Sequence, residues 1–109
     1  MQPDLTTLLA QLRTELQRTL GDNLVRVTLY GSRARGDAAP DSDVDLLIVL
    51  RQAAAMHREV VHRVAYDLMW QIDFQFVLAL NIIDLPHDTL LKQHRSSYLA
   101  NVEREGQRL

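Results

Sequence analysis

Leu5, Leu8, Leu9, Leu12, Leu16 and Leu20 recur at three- and four-residue steps. That spacing lines one face of an amphipathic helix. Asp4 suits the start of this helix and Gly21 its end. The following segment, Leu24 to Tyr30, is rich in β-branched and aromatic residues and reads as a strand that Gly31 stops. The run GSRARGDAAPDS, Gly31 to Ser42, is crowded with turn formers. It predicts a loop, with room for one helical turn after Ser32. Val44 to Leu50 is almost continuously apolar, the pattern of a strand buried on both faces and therefore central in a sheet. Val60, Val61, Val64, Ala65 and Leu68 fall at helical spacing within 53–69, which predicts a helix packed on that sheet. Ile72, Phe74, Phe76, Leu78 and Leu80 alternate with Asp73, Gln75, Val77 and Ala79, which predicts a third strand over 72–80 with one richer apolar face. Pro86 follows, then a helical tail from His87 to about Glu105, capped by Gly106.

This order of helix, strand, glycine turn, strand, helix, strand and helix predicts an α/β (α+β) fold. It is a small mixed sheet with helices packed mainly on one face, forming a single domain over 1–109. The leucines of the first helix, with Trp70, Phe74 and Phe76, are expected core positions. Tyr98, Leu99 and Val102 near the end are candidates for a surface facing a partner, because so small a sheet leaves apolar surface to cover.

Composition adds exclusions. The 109 residues contain 47% hydrophobic and 24% charged positions, an ordinary globular balance. With a net charge of -2 the chain lacks the basic field of a general nucleic-acid binder. No cysteine is present, which removes disulfides, thiolate zinc sites and thiol nucleophiles. No apolar run approaches the roughly 20 residues of a membrane helix, and the N-terminal segment lacks the pattern of a signal peptide. A cytoplasmic protein is expected. His57, His62, His87 and His94 lack a matching carboxylate pattern and read as surface or half-buried histidines rather than zinc ligands.

The chemistry concentrates in Gly31-Ser32, ten intervening residues, and Asp43-Val44-Asp45. Alternate strand residues point the same way about 6.6 Å apart, so Asp43 and Asp45 can grip a hard cation between them. Mg²⁺ takes sites of this kind, with one or two carboxylates completed by waters and phosphates. Two charges opening an apolar strand are costly unless a cation or solvent receives them. Gly31 lets a ligand approach the backbone closely. Ser32 opens a short helix whose free N–H groups favour phosphate, and Arg33 and Arg35 are candidates for the same anion. The pattern arises by chance in roughly one chain of this length per thousand. A phosphate cradle beside a metal-binding pair makes a nucleoside triphosphate site.

The run GSRARGDAAPDSDVDLLIVL resembles the signature of the DNA polymerase β nucleotidyltransferase superfamily, and most closely that of the minimal nucleotidyltransferases. The ending NVEREGQRL, Asn101 to Leu109, is similar to the ending of those small proteins. The resemblance implies transfer of AMP from ATP, with Mg²⁺, to a hydroxyl by in-line displacement of pyrophosphate. It also implies a third carboxylate on a later strand, which helps hold the metal and activates the acceptor. Asp73 is the candidate here, with Asp67 and Asp84 as rivals. Proteins of this kind pair with small helical HEPN-domain ribonucleases as antitoxin to toxin, so the implied acceptor is a tyrosine of such a partner, in a homo- or hetero-oligomer. Two other functions remain open: transfer to a small-molecule hydroxyl, as in aminoglycoside nucleotidyltransferases, and steric binding of a partner without catalysis.

Overall fold

The structure is a computed structural model that describes residues 4–93 and 97–109. Helix α1 spans Leu5–Leu20, and the Asp4 side chain caps it by accepting from the Thr6 N–H at 3.0 Å. Its buried face is Leu8, Leu9, Leu12 and Leu16, each contributing about 1.5–3 kcal/mol by leaving water. A 3-10 turn over Gly21–Asn23 leads into β1, Leu24–Tyr30. One helical turn, α2, covers Ser32–Arg35, and β2 covers Val44–Leu50. Helix α3 spans Ala55–Gln71 and β3 Leu78–Asp84. Helices α4, Leu85–Gln93, and α5, Ser97–Glu105, precede a two-residue strand β4, Gln107–Arg108.

The sheet order is β3-β2-β1-β4. Strand β1 pairs antiparallel with both β2 and β4, and β2 pairs parallel with β3. The long crossover through α3 is what a parallel pair requires. Helices α1 and α3 pack over the face carrying Val27, Leu29, Leu46, Ile48 and Ile82. The opposite face holds a smaller cluster of Leu47, Val49, Ile83 and Val102, bordered by Tyr30, Leu91 and Tyr98 from α4, α5 and β1. The two long helices thus cover one face and the two short ones the other. Among the described residues no helix is long and apolar enough to cross a membrane.

The smaller cluster is bounded by a buried ion pair. Arg26 on β1 donates two hydrogen bonds to the Asp88 carboxylate on α4, at 2.7 and 3.0 Å, with Asp88 side chain only 2% exposed. Lys92 adds a contact at 3.6 Å. Burial alone would raise the Asp88 pKa, but the Arg26 hydrogen bonds and charge, with Lys92, hold it below the ordinary carboxylate value.

Four expectations need correction. The third strand begins at Leu78, not Ile72, because Asp73 and Phe74 take left-handed backbone angles, φ 53 and 56, that turn the chain after α3. The alternation over 72–77 therefore belongs to a turn, in which Ile72 and Phe76 are half-buried. Trp70 and Phe74 are not core residues. They are 65% and 38% exposed and form an aromatic cluster with Tyr66. The C-terminal tail is two helices, the first beginning at Leu85. Asp84 caps it by accepting from the His87 N–H at 2.8 Å, and Pro86 sits in the first turn, where its missing N–H removes no intrahelical bond. Val102 is buried and so is not free for a partner, whereas Tyr98 is half-buried and packs edge-on against Tyr30. The Leu99 side chain and His94 lie outside the described residues.

Candidate active site

Gly31 ends β1 at φ 75, ψ -157, a combination open essentially only to glycine. Its carbonyl accepts from the N–H groups of Ala34 and Arg35, both at 3.1 Å, and this closes α2. Ser32, half-buried, is the first residue of that turn. Its carbonyl accepts from Gly36 and Asp37, at 2.9 and 3.1 Å. The first amides of a helix have no intrahelical acceptor, so Ser32 and Arg33 present N–H groups at the glycine bend.

That bend meets β2 directly. In the β1–β2 register Tyr30 lies opposite Asp45, and a Cβ on Gly31 would overlap the Asp45 carboxylate. The backbone of the turn and the second acid of the DxD pair are in contact because residue 31 has no side chain. Val44, between the two acids, is fully buried, whereas Asp45 is half-buried and Asp43 exposed. Strand alternation puts both acids on the face away from α1 and α3. Among the described residues neither carboxylate is engaged in a salt bridge.

The two arginines of the loop are engaged within the protein. Arg33 donates to the carbonyls of Pro40 and Ser42 at 3.1 and 2.8 Å, and its guanidinium lies over the Phe76 ring at 5.3 Å. It ties the loop that delivers Asp43. Its Nε is buried without a hydrogen-bond partner. Arg35 reaches Glu105 at 3.1 Å and Asp37 at 3.4 Å. Both are candidates for a shared anion, and within the protein their guanidinium groups are held by these contacts.

Asp73 is not beside the pair. It is exposed, in the left-handed turn before β3. Strand β3 runs parallel to β2 and sets Ala79 opposite Asp45 and Asn81 opposite Leu47. That face of β3 thus carries no acid at either position. Asp67 is exposed on α3, and Asp84 is occupied as the α4 cap. Among the described residues no group of three or more His, Cys, Asp or Glu could hold a metal.

Several residues of the site have no motif to announce them. Tyr30 stands on the same face as Asp45, edge-to-face with Tyr98 at 5.7 Å, and Asn81 donates to the Tyr98 hydroxyl at 2.7 Å. Burial raises the Tyr30 pKa, and the adjoining Tyr98 and the Asp45 charge raise it further. Its phenol stays protonated. The cross-strand pairing of Tyr30 with Asp45 follows once β1 and β2 are taken as a hairpin about the glycine loop, which is the one available signal.

The profile of the nucleotidyltransferase domain family matches residues 9–103. The chain belongs to that family. A Methanocaldococcus jannaschii protein named as a candidate protein adenylyltransferase is 30% identical over 89 residues, covering 81% of this chain and 60% of that protein. The chain therefore spans about three-fifths of that relative's length. A structure described as a candidate minimal nucleotidyltransferase is 27% identical with a TM-score of 0.56, covering 98% of this chain and 97% of that one. A toxin–antitoxin crystal structure with AMP-PNP shares the fold, with a TM-score of 0.51 at 19% identity, covering 89% of this chain and 68% of that one.

For a nucleotidyltransferase domain the donor set suits Mg²⁺: two carboxylates free of salt bridges among the described residues, one reachable from solvent, at a bend where a side chain is excluded. The bend itself suits a phosphate, since the first N–H groups of α2 have no intrahelical acceptor.

Proposed function

We propose that this domain transfers AMP from ATP to a hydroxyl, with Asp43 and Asp45 holding Mg²⁺ and the Gly31-Ser32 bend receiving phosphate. The observation that carries this reading is the contact of the glycine bend with the Asp45 carboxylate, which joins the phosphate-binding and metal-binding halves of the signature at one point. When bound, Mg²⁺ would supply charge neutralisation for the triphosphate. The protein's own part is positioning. Gly31 admits the nucleotide to the backbone, Ser32 offers its hydroxyl and N–H, and Arg33 holds the loop that carries Asp43. Tyr30 remains neutral beside Asp45 and adds no negative charge to the site.

The acceptor in this reading is a tyrosine of a small helical HEPN ribonuclease, so that the domain acts as the antitoxin of a toxin–antitoxin pair. Support comes from the signature run, the adenylyltransferase naming of the 30% identical relative, and the toxin–antitoxin fold neighbour. In this reading the reaction runs in the cytoplasm, where ATP is supplied. A second reading, inhibition of the partner by binding alone, draws on one observation: Asp73 stands apart and no third acid joins the pair among the described residues.

Incubation of the protein with Mg²⁺, α-labelled ATP and a lysate of its own source separates these readings. Label on a small helical protein is the expected result. Label on a small molecule would move the acceptor to the aminoglycoside type. No label, with Mg²⁺ and ATP still bound, would leave the steric reading in place of transfer.

A further inference from the structure

We propose that the C-terminal segment Tyr98–Leu109 is a strap that holds the glycine bend in its nucleotide-binding shape, with Glu105 and Gln107 as positioning residues. This rests on the reading of that bend as the phosphate site. Four contacts from one short segment converge on the bend. Glu105 pairs with Arg35 at the end of α2, at 3.1 Å. The Gln107 side-chain amide donates to the Ala34 carbonyl inside α2 at 3.2 Å. Tyr98 packs edge-on against Tyr30, the residue before Gly31. Strand β4 then pairs with the end of β1, Gln107 opposite Leu29 and Arg108 opposite Thr28.

The strap is seated tightly. The Gly106 N–H donates to the Val102 carbonyl at 2.7 Å and closes α5. A Cβ on Gly106 would overlap that carbonyl and come within 2.7 Å of the Thr28 methyl. The Leu109 N–H donates to the Val27 carbonyl at 2.9 Å.

The need for such a strap follows from the bend itself. A four-residue helical turn has almost no stability of its own, since helix nucleation is unfavourable. Gly31 and Gly36, at φ 75 and 85, flank it with backbone that is freely mobile when unfolded. Among the described residues none of α2 is fully buried, and only the half-buried Ala34 packs against the core. Its shape therefore depends on side-chain contacts from elsewhere: Arg33 is held by the loop carbonyls of Pro40 and Ser42, and the contacts to Arg35 and to the Ala34 carbonyl come from the strap.

The test uses Glu105→Gln, Gln107→Ala, their double variant, and the charge exchange Arg35→Glu with Glu105→Arg. Hydrogen exchange of the ligand-free protein reads the strap directly. The hydrogen-bonded amides of 34–37 should exchange about tenfold faster in the double variant, while those of β2 stay unchanged. Unaltered exchange at 34–37 would overturn the strap, whatever the protein binds. Calorimetric titration with Mg²⁺ and AMP-PNP reads the consequence. The Kd should rise about tenfold, or about 1.4 kcal/mol, in the double variant with its melting temperature nearly unchanged. The charge exchange should recover most of the affinity lost in Glu105→Gln. Failure of the charge exchange to recover it would mean that Arg35 acts on the nucleotide and not through Glu105, and would overturn the role given to Glu105. If the parent protein fails to bind Mg²⁺ and AMP-PNP, the nucleotide reading falls and the strap's proposed purpose with it. If the parent binds and the double variant binds equally, only the strap falls.

Discussion

Gly31→Ala and Gly36→Ala form a pair that tests the site through a single methyl group. Both glycines sit at positive φ, 75 and 85, in the same loop and four residues or fewer from the ends of α2. Gly36 lies in the left-handed helical region at ψ 10, and a Cβ there meets nothing within 4 Å. Its alanine variant carries only the left-handed penalty, about 1–2 kcal/mol, partly offset by about 0.4–1 kcal/mol from a stiffer unfolded chain. Gly31 lies in the glycine-only region at ψ -157, where the backbone cost is about 1–3 kcal/mol, and its Cβ would strike the Asp45 carboxylate. The Asp45 side chain must then swing out of the position in which it faces the bend. Urea unfolding should show a modest loss for Gly36→Ala and a larger one for Gly31→Ala, out of a total of about 5–15 kcal/mol for a domain of this size. Calorimetry with Mg²⁺ and AMP-PNP should separate the two further. Gly36→Ala should bind within about threefold of the parent, and Gly31→Ala at least about 100-fold more weakly, about 2.7 kcal/mol. A folded Gly31→Ala protein that binds as tightly as the parent would refute the claim that bend and carboxylate act as one site.

Three further perturbations follow from the same coordinates. Asp43→Asn and Asp45→Asn should each cut nucleotidyl transfer at least about 100-fold without lowering the melting temperature; transfer at the parent rate would remove either residue from the site. Asp73→Asn should leave transfer within about twofold, as expected of an exposed turn position, and a large loss would mean that the turn moves to join the pair. Asp88→Ala should cost about 3–5 kcal/mol in urea unfolding, because it strands the buried Arg26 charge. The Asp88 carboxyl is held below its ordinary value in the fold, so its stabilisation is complete above the unfolded value near pH 3.9 and is lost as pH falls through the lower folded value. The parent should therefore lose stability faster than Asp88→Asn below about pH 4, and parallel acid curves would count against the pair.

The first 50 residues were the most legible. Helix α1, its Asp4 cap, β1, the Gly31 bend, the turn after Ser32 and β2 stand where hydrophobic period and turn chemistry put them. Each of these is set by local chemistry: leucines at helical spacing, a side-chain cap, and a glycine where φ is positive. The region from Trp70 to Phe76 misled for a physical reason. Alternation of large apolar residues is the mark of a half-buried strand, but here the alternating residues serve three different purposes. Trp70 and Phe74 stack with Tyr66 on the surface, Ile72 packs on the core, and Phe76 supports the Arg33 guanidinium. No period distinguishes these uses. The strap was invisible for another reason: Glu105 and Gln107 act across about seventy positions, on Arg35 and Ala34, and a pairing at that separation leaves no local pattern.

The displacement of Asp73 also bears on how the chemistry is divided. Strand β2 is buried on both faces from Leu46 onward, so a charge can be tolerated only at its opening, where Asp43 is exposed and Asp45 half-buried. Strand β3, running parallel, brings its own opening to the same edge, and the residues it offers on the Asp45 face are Ala79 and Asn81. Neither can take a proton from an attacking hydroxyl at neutral pH, and Tyr30, raised in pKa beside Asp45, cannot serve as a base either. The described residues thus equip the nucleotide half of the proposed reaction and leave the acceptor half sparse. On that division, nucleotide affinity belongs to the glycine bend and the paired acids, while the rate depends on how the acceptor itself is presented to them.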